Sequence, residues 1–173
     1  MKTINLKEKK AELQNLGIEI FDYITGLSKD IRPDEQARTG IQILMRDPNR
    51  ASENLINFSV YNPSDRAQYF VCEKSIRTEM NGDATSQDSE DEKRRQFRGC
   101  VTLSLPEEGI ILHCSISGLF GSEDATAGII MLSRAAETSI DDVIHNIMRR
   151  DGDLPNEIFQ QGHYLRALLD KYK

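Results

Sequence analysis

The most restrictive pattern in the chain lies between Gly99 and Leu119. Val101, Leu103 and Leu105 alternate with other residues up to Pro106-Glu107-Glu108-Gly109, and Ile110 to Ile116 then runs back. A period of two marks a half-buried strand, and a short Pro-to-Gly break between two such runs marks a hairpin. In the return strand Ile110, Leu112, Cys114 and Ile116 share one face, and Ile111, His113, Ser115 and Ser117 share the other, because successive side chains point to opposite sides. One face is apolar and the other mixed. The pattern places these two strands in the middle of a sheet.

A second pair of strands is predicted upstream. Ile41, Ile43 and Met45 alternate with Gln42, Leu44 and Arg46; Asp47-Pro48-Asn49 breaks the run, and Ile56, Phe58 and Val60 resume it. Before them, Leu13, Leu16, Ile20, Ile24 and Leu27 recur at helical spacing, and Pro33 limits the helix at its far end. After them, Asn62-Pro63-Ser64-Asp65 offers Ser64 or Asp65 as the cap of a helix whose Tyr69, Cys72, Ile76 and Met80 recur at helical intervals, with Asn81-Gly82 as its stop.

Residues 83–92 hold five acids, two serines, a threonine and no large apolar side chain, so burial cannot offset the entropy of ordering them and a mobile loop is predicted. The basic block Lys93, Arg94, Arg95 and Arg98 follows at once and reads as a solvated face partly neutralised by its acidic neighbour. Beyond the hairpin, Ser117-Gly118-Leu119-Phe120-Gly121 is a turn, with Ser122 as the predicted cap of a helix bearing Ala125, Ile129, Leu132 and Ala136. Ser139 and Asp142 then stand in capping register before Ile140, Val143, Ile144, Ile147 and Met148, and a last helix carries Ile158, Phe159, Leu165, Leu168, Leu169 and Tyr172. The order α, β, β, α, loop, β, β, α and two C-terminal helices predicts an α+β domain. It has a mostly antiparallel sheet of about four to five strands flanked by helices over residues 1–138, with residues 139–173 as a helical extension packed on it.

The chemistry is narrowed mainly by exclusion. A formal charge of −6, from 28 acids against 22 bases, repels a phosphate backbone, so nucleic acid is not an expected partner. No apolar run reaches the ~18 residues of a membrane span, and no membrane partner is expected. The start of the chain is charged where a secretory peptide is apolar, so the expected compartment is the cytoplasm. Cys72, Cys100 and Cys114 are odd in number and widely spaced, which reads as reduced, mostly buried thiols. The sequence contains no Walker, zincin, nucleophile-elbow or dinucleotide-binding motif. His113 and Cys114 are adjacent on a strand and therefore diverge, which excludes a thiol nucleophile and base at that pair. The glycine-containing turn before Ser122 has the free N–H groups of an anion site, but Glu123 and Asp124 occupy the same first turn and oppose one, so it reads as turn plus cap.

Three stretches together resemble a known family: Arg66-Ala67 through Glu73-Lys74-Ser75, Gln96-Phe97-Arg98-Gly99-Cys100-Val101, and Ile116-Ser117-Gly118-Leu119 with Glu123-Asp124. They are similar to the GlcG, haem-binding HbpS and PduO C-terminal group over about residues 13–136. The second strand ends in Tyr61-Asn62-Pro63-Ser64 where the family commonly has Asp then Gly, and Gly99 stands alone where a glycine pair is usual. The resemblance implies a profilin-like or PAS-like fold, assembly into homo-oligomers and, in some members, binding of haem or a related cofactor. It places Lys74, Gly99 and Gly118 near the ligand. The mixed strand face contributes His113, Ser115 and Ser117, so the expected function is non-catalytic binding of a small molecule, haem or another planar cofactor included, between the sheet and the helix 65–80. The competing expectation is an interaction or oligomerisation module, in which the apolar stripes of the two C-terminal helices are uncovered and dock on a partner.

Overall fold

The structure is a computed structural model and describes residues 4–34, 36–50 and 53–173. Helix α1 (Leu6–Thr25) leads to strands β1 (Gly40–Arg46) and β2 (Leu55–Tyr61), then α2 (Asp65–Asn81), β3 (Cys100–Leu105), β4 (Ile110–Ser117), α3 (Gly121–Ala136), α4 (Ile140–Met148) and α5 (Tyr164–Lys171). The four strands form one antiparallel sheet in the order β2-β1-β4-β3, flanked by the five helices, so the α+β class is as the patterning predicts.

The placement of the second hairpin needs correcting. β4 is central, paired with β1 from Gln42↔Ser117 to Arg46↔His113, but β3 lies at the rim of the sheet. Its outer edge is covered by residues 84–86: Thr85 bridges Val101, the Ser86 amide donates to the Cys100 carbonyl at 2.9 Å, and the Thr102 amide donates to Ala84 at 2.9 Å. A sheet edge left open is a template for unwanted pairing, and this segment closes part of it.

That same segment opens the acidic stretch expected to be mobile, and the structure shows it packed. Ala84, Thr85 and Ser86 are buried, and Asp88 accepts the Thr85 and Asp153 amides at 2.9 and 2.6 Å. The Arg77 guanidinium of α2 donates to the carbonyls of Ser86, Ser89 and Phe97 at 2.9, 2.8 and 2.7 Å. Order here comes from a buried arginine satisfying several carbonyls rather than from apolar burial. Such charge-assisted bonds are about twice as strong as neutral ones.

The two sheet faces have different chemistry. Ile41, Ile43, Met45, Phe58, Val101, Leu112, Cys114 and Ile116 face α1 and α3 within one buried cluster. Gly17, which weakens α1 as a helix, sits where a Cβ would come within 3.0 Å of Ile43 and 3.1 Å of Val60, so the absent side chain permits close packing on the sheet. On the opposite face lie Gln42, Arg46, Thr102, His113, Ser115 and Ser117, and α2 covers them with Ala67, Val71, Lys74, Ser75 and Thr78. The apolar stripe read from the α2 sequence therefore points the other way: Tyr69, Ile76 and Met80 are 66%, 52% and 80% exposed. A polar sheet face selects the polar side of the helix.

Most of the C-terminal stripe residues are buried within the chain. Ile140, Val143, Ile147, Leu165, Leu168 and Leu169 join the cluster beneath α1 and α3, and the Asn146 amide pins the rim strand by accepting from the Ser104 N–H at 3.0 Å and donating to its carbonyl at 2.6 Å. Of those stripes Met148 and Phe159 remain 53% and 50% exposed, while the other apolar side chains are wholly or partly covered by the chain itself. No helix of the described residues is long and apolar enough to cross a membrane.

Candidate functional site

β2 and β4 flank β1 and both run antiparallel to it, so they run in the same direction. Each is followed within a few residues by a helix, and α2 and α3 therefore start at the same end of the sheet. Between these starts lies a cleft of ≈ 520 Å³.

The turn from β4 into α3 builds its floor. The helix begins at Gly121 and is capped at Phe120, two residues before the expected cap at Ser122. The Leu119 amide donates to Asp124 Oδ1 at 3.1 Å and the Phe120 amide to Glu123 Oε2 at 3.0 Å. Both carboxylates thus fold back under the turn. Glu123 is fully buried and accepts from Arg32 Nε and Nη2 at 2.6 and 2.9 Å and from the Tyr164 hydroxyl at 2.8 Å. Burial and the Glu123 charge push the Tyr164 phenol well above its ordinary range. Asp124 meets the buried ammonium of Lys74 at 3.3 Å, and Lys74 Nζ also donates to the Ile116 carbonyl at 2.7 Å. Desolvation raises the Asp124 carboxyl to about 6 although Lys74 opposes the rise. The two acids that seemed to bar an anion from this turn are turned inward and held by Arg32 and Lys74.

Gly99 makes this floor possible. Its φ of +123° is open to glycine, and a Cβ there would stand 2.8 Å from Lys74 Nζ, 2.8 Å from Asp124 Cβ and 2.9 Å from the Ile116 carbonyl.

The walls carry the cations Arg38, Arg66 and Arg98, the acids Glu90 and Glu92, and three aromatic rings. Arg98 pairs with Glu90 at 2.8 Å, and Arg38 pairs with Asp34 at 2.7 Å while lying 4.8 Å from the centre of the Phe120 ring. Arg66, in the first turn of α2, is exposed and makes no ion pair among the described residues. Phe70 and Phe97 meet edge to face at 5.2 Å and supply an apolar wall. Ser64 caps α2 by its backbone position, its carbonyl accepting from the Ala67 amide at 2.9 Å and its side chain bonding none of the first amides.

Of the residues expected at the ligand, Lys74, Ser117 and Gly118 line the cleft and Gly99 packs directly against its floor. His113 and Ser115 do not reach it. They lie further back along β4 beneath α2, with His113 only 4% exposed. Burial, followed by the Arg46 charge, lowers the imidazole to about 4. Among the described residues His113 Nδ1 and Thr102 Oγ1 are buried there without a hydrogen-bond partner, and the Thr78 and Ser115 hydroxyls lie against the Cys100 thiol. The Cys100 and Cys114 thiols are fully buried and raised by desolvation, Cys100 to about 11.

The cleft lining includes no His, Cys, Met or Tyr, so the residues present offer haem no customary axial ligand. The expectation of haem held by His113 does not fit this arrangement. Among the described residues no group of three or more His, Cys, Asp or Glu is placed to hold a metal ion. Arg66, Phe70, Phe97 and Phe120 are among the lining residues that sequence reading did not assign to a site. Two strand-to-helix junctions, at Ser64 and at Gly121, were the available signal.

No family model and no curated protein matches the chain. Among solved structures, the crystal structure of Ybr137w protein is similar with a TM-score of 0.43 and 13% identity, over 80% of this chain and 99% of that one. A likeness of that size carries no argument about fold or function.

Proposed function

We propose that the chain is a small-molecule-binding domain, and that its ligand is a compact planar molecule bearing a carboxylate or phosphate. The observation that carries this reading is the convergence of two helix N-termini, the unpaired Arg66 and the Phe70, Phe97 and Phe120 rings on one cleft. Unsatisfied amides and partial positive charge favour an anion at a helix start, and a guanidinium adds a planar fork of donors. The phenyl rings offer apolar surface to a flat body. The volume of ≈ 520 Å³ falls within the range of sites that enclose small ligands. Lys74 and Asp124 lie at the floor as an ion pair and add hydrogen-bonding capacity, and Glu90 and Glu92 leave Arg66 as the cation that favours an anion.

Isothermal titration with phenyl phosphate, benzyl alcohol and inorganic phosphate tests the reading. Phenyl phosphate should bind saturably and more tightly than either fragment. Arg66→Ala should weaken it by about 10- to 100-fold, the loss of one charge-assisted contact, and Phe97→Ala should weaken it as well. Absence of saturable phenyl phosphate binding, or binding indifferent to Arg66→Ala in a folded variant, would overturn the proposal.

A further inference from the structure

Arg66, Phe70 and Lys74 follow one another at intervals of four residues along α2, which sets them on one row of the helix about 6 Å apart. All three line the cleft, and their burial deepens in that order: Arg66 is exposed, Phe70 is half-buried and Lys74 is only 2% exposed. The row therefore runs from the mouth of the cleft to its floor. It ends on a nitrogen held by the Ile116 carbonyl at 2.7 Å and by Asp124 Oδ2 at 3.3 Å. Gly99 gives that nitrogen room, since a Cβ there would stand 2.8 Å from it. A ligand lying along the row meets a cation, then a ring, then an amine. The first two suit its anion and its flat body, and the third selects one more group. A buried lysine facing a cleft is matched to a carbonyl carbon, because its amine adds to that carbon once a neighbouring base has taken a proton. Asp124 is placed as that base, and its carboxyl at about 6 both accepts and returns a proton near neutral pH.

We propose that Lys74 captures an anion-bearing aldehyde or ketone as an iminium, with Asp124 carrying the protons, a step that rests on the reading of the cleft as an anion site and adds the reactive group of its ligand. The Lys74 ammonium passes a proton to the Asp124 carboxylate. The nitrogen lone pair then forms the bond to the carbonyl carbon while the C=O π pair moves to oxygen, and that oxygen takes the proton from Asp124. A second proton leaves nitrogen by the same route, the C–O bond breaks and water departs. The carbonyl oxygen and two protons of the ammonium have become water, the positive charge stays on nitrogen, nothing is oxidised or reduced, and Asp124 ends as the carboxylate it began.

Reductive trapping on the full chain tests this, with 4-carboxybenzaldehyde as the probe, sodium cyanoborohydride as the reductant and peptide mass spectrometry to locate the adduct. Lys74 should be labelled at least about tenfold faster than the exposed Lys7 and Lys29. Phenyl phosphate should slow labelling at Lys74 and leave it unchanged at Lys7. Arg66→Ala should raise the half-saturating probe concentration about tenfold with little change in limiting rate, and Asp124→Asn should lower the limiting rate at least about tenfold with little change in half-saturation. Labelling of Lys74 no faster than of Lys7 and Lys29, or undiminished by phenyl phosphate, would overturn the proposal. If phenyl phosphate still binds saturably by titration in that event, only the carbonyl assignment falls; if it does not, the anion site falls with it. A limiting rate untouched by Asp124→Asn, with unchanged far-ultraviolet circular dichroism, would remove Asp124 from the step.

Discussion

Exchanging Asp124 for asparagine should convert a fold nearly indifferent to mild acid into one that loses stability in it. Two buried groups act in opposite senses as pH falls. The Asp124 carboxyl stands at about 6 in the fold against an ordinary 3.8, raised by desolvation between Lys74, the Leu119 amide and Glu123. The folded chain therefore takes up this proton first, so its contribution is largest below pH 3.8 and is lost as pH rises through 6. His113 stands at about 4 against 6.5, lowered by burial and by Arg46 and Arg150, with Glu79 and the Ser75 backbone opposing. The unfolded chain takes up that proton first, so the stability associated with a neutral His113 is present above 6.5 and is lost as pH falls through 4. Each pKa unit is worth about 1.4 kcal/mol, and linkage from about pH 7.5 to about pH 4 gives a gain of about 2 kcal/mol from Asp124 and a loss of about 3 from His113. In the wild type the two nearly cancel. Asp124→Asn keeps an acceptor for the Leu119 amide and removes only the gain, so its stability should fall by about 2 kcal/mol more than the wild type's over this interval. His113→Gln should shift in the opposite sense by about 3. Urea unfolding followed by circular dichroism at both pH values measures this, with the difference between pH values, and not absolute stability, as the readout. An Asp124→Asn variant whose pH difference matches the wild type's within about 0.5 kcal/mol would show that the carboxyl is not buried as described.

Two further outcomes concern the same end of the sheet. Arg32→Met leaves the Glu123 carboxylate buried with only the Tyr164 hydroxyl and the Phe120 amide, and should cost about 3 kcal/mol, near the low end for a broken buried pair; a cost under about 1 kcal/mol in urea would contradict the pairing, and Glu123→Gln added to Arg32→Met should recover part of the loss. Gly99→Ala forces a side chain into a positive-φ position against the Ile116 carbonyl and Lys74, and should lower the calorimetric midpoint by at least about 6 °C, corresponding to roughly 3 kcal/mol for a domain of this length. A drop under about 2 °C would mean that the floor tolerates a methyl group there.

How much of this could be read from the residues differs from one element to the next. The alternation in 110–117 identified β4 and its two faces because side-chain direction in a strand follows from backbone geometry alone. The same logic failed for α2. Its apolar row at Tyr69, Ile76 and Met80 is real, but which row is buried depends on the sheet face beneath, and that face carries Gln42, Arg46 and His113. The rim position of β3 was hidden because strand order depends on β1 pairing with β4, a contact between segments some seventy residues apart. Within the cleft, Ser117 was legible from the mixed face of its strand, and Lys74 and Gly118 only through the family resemblance. The inward fold of Glu123 and Asp124 was not, since it requires Arg32 from 91 residues upstream and Lys74 from the other side of the sheet. A carboxylate in a first helical turn reads as exposed charge until its partner is known.

The grip of Arg77 on the Phe97 carbonyl has a mechanical consequence. Phe97 and Arg98 would otherwise hang from a long connecting segment, free to swing independently of the helix whose first turn they face. Fastened in this way, the segment travels with α2 as one body, so a tilt of the helix keeps the Phe70 and Phe97 rings in register while the whole wall moves against the turn that leads into α3.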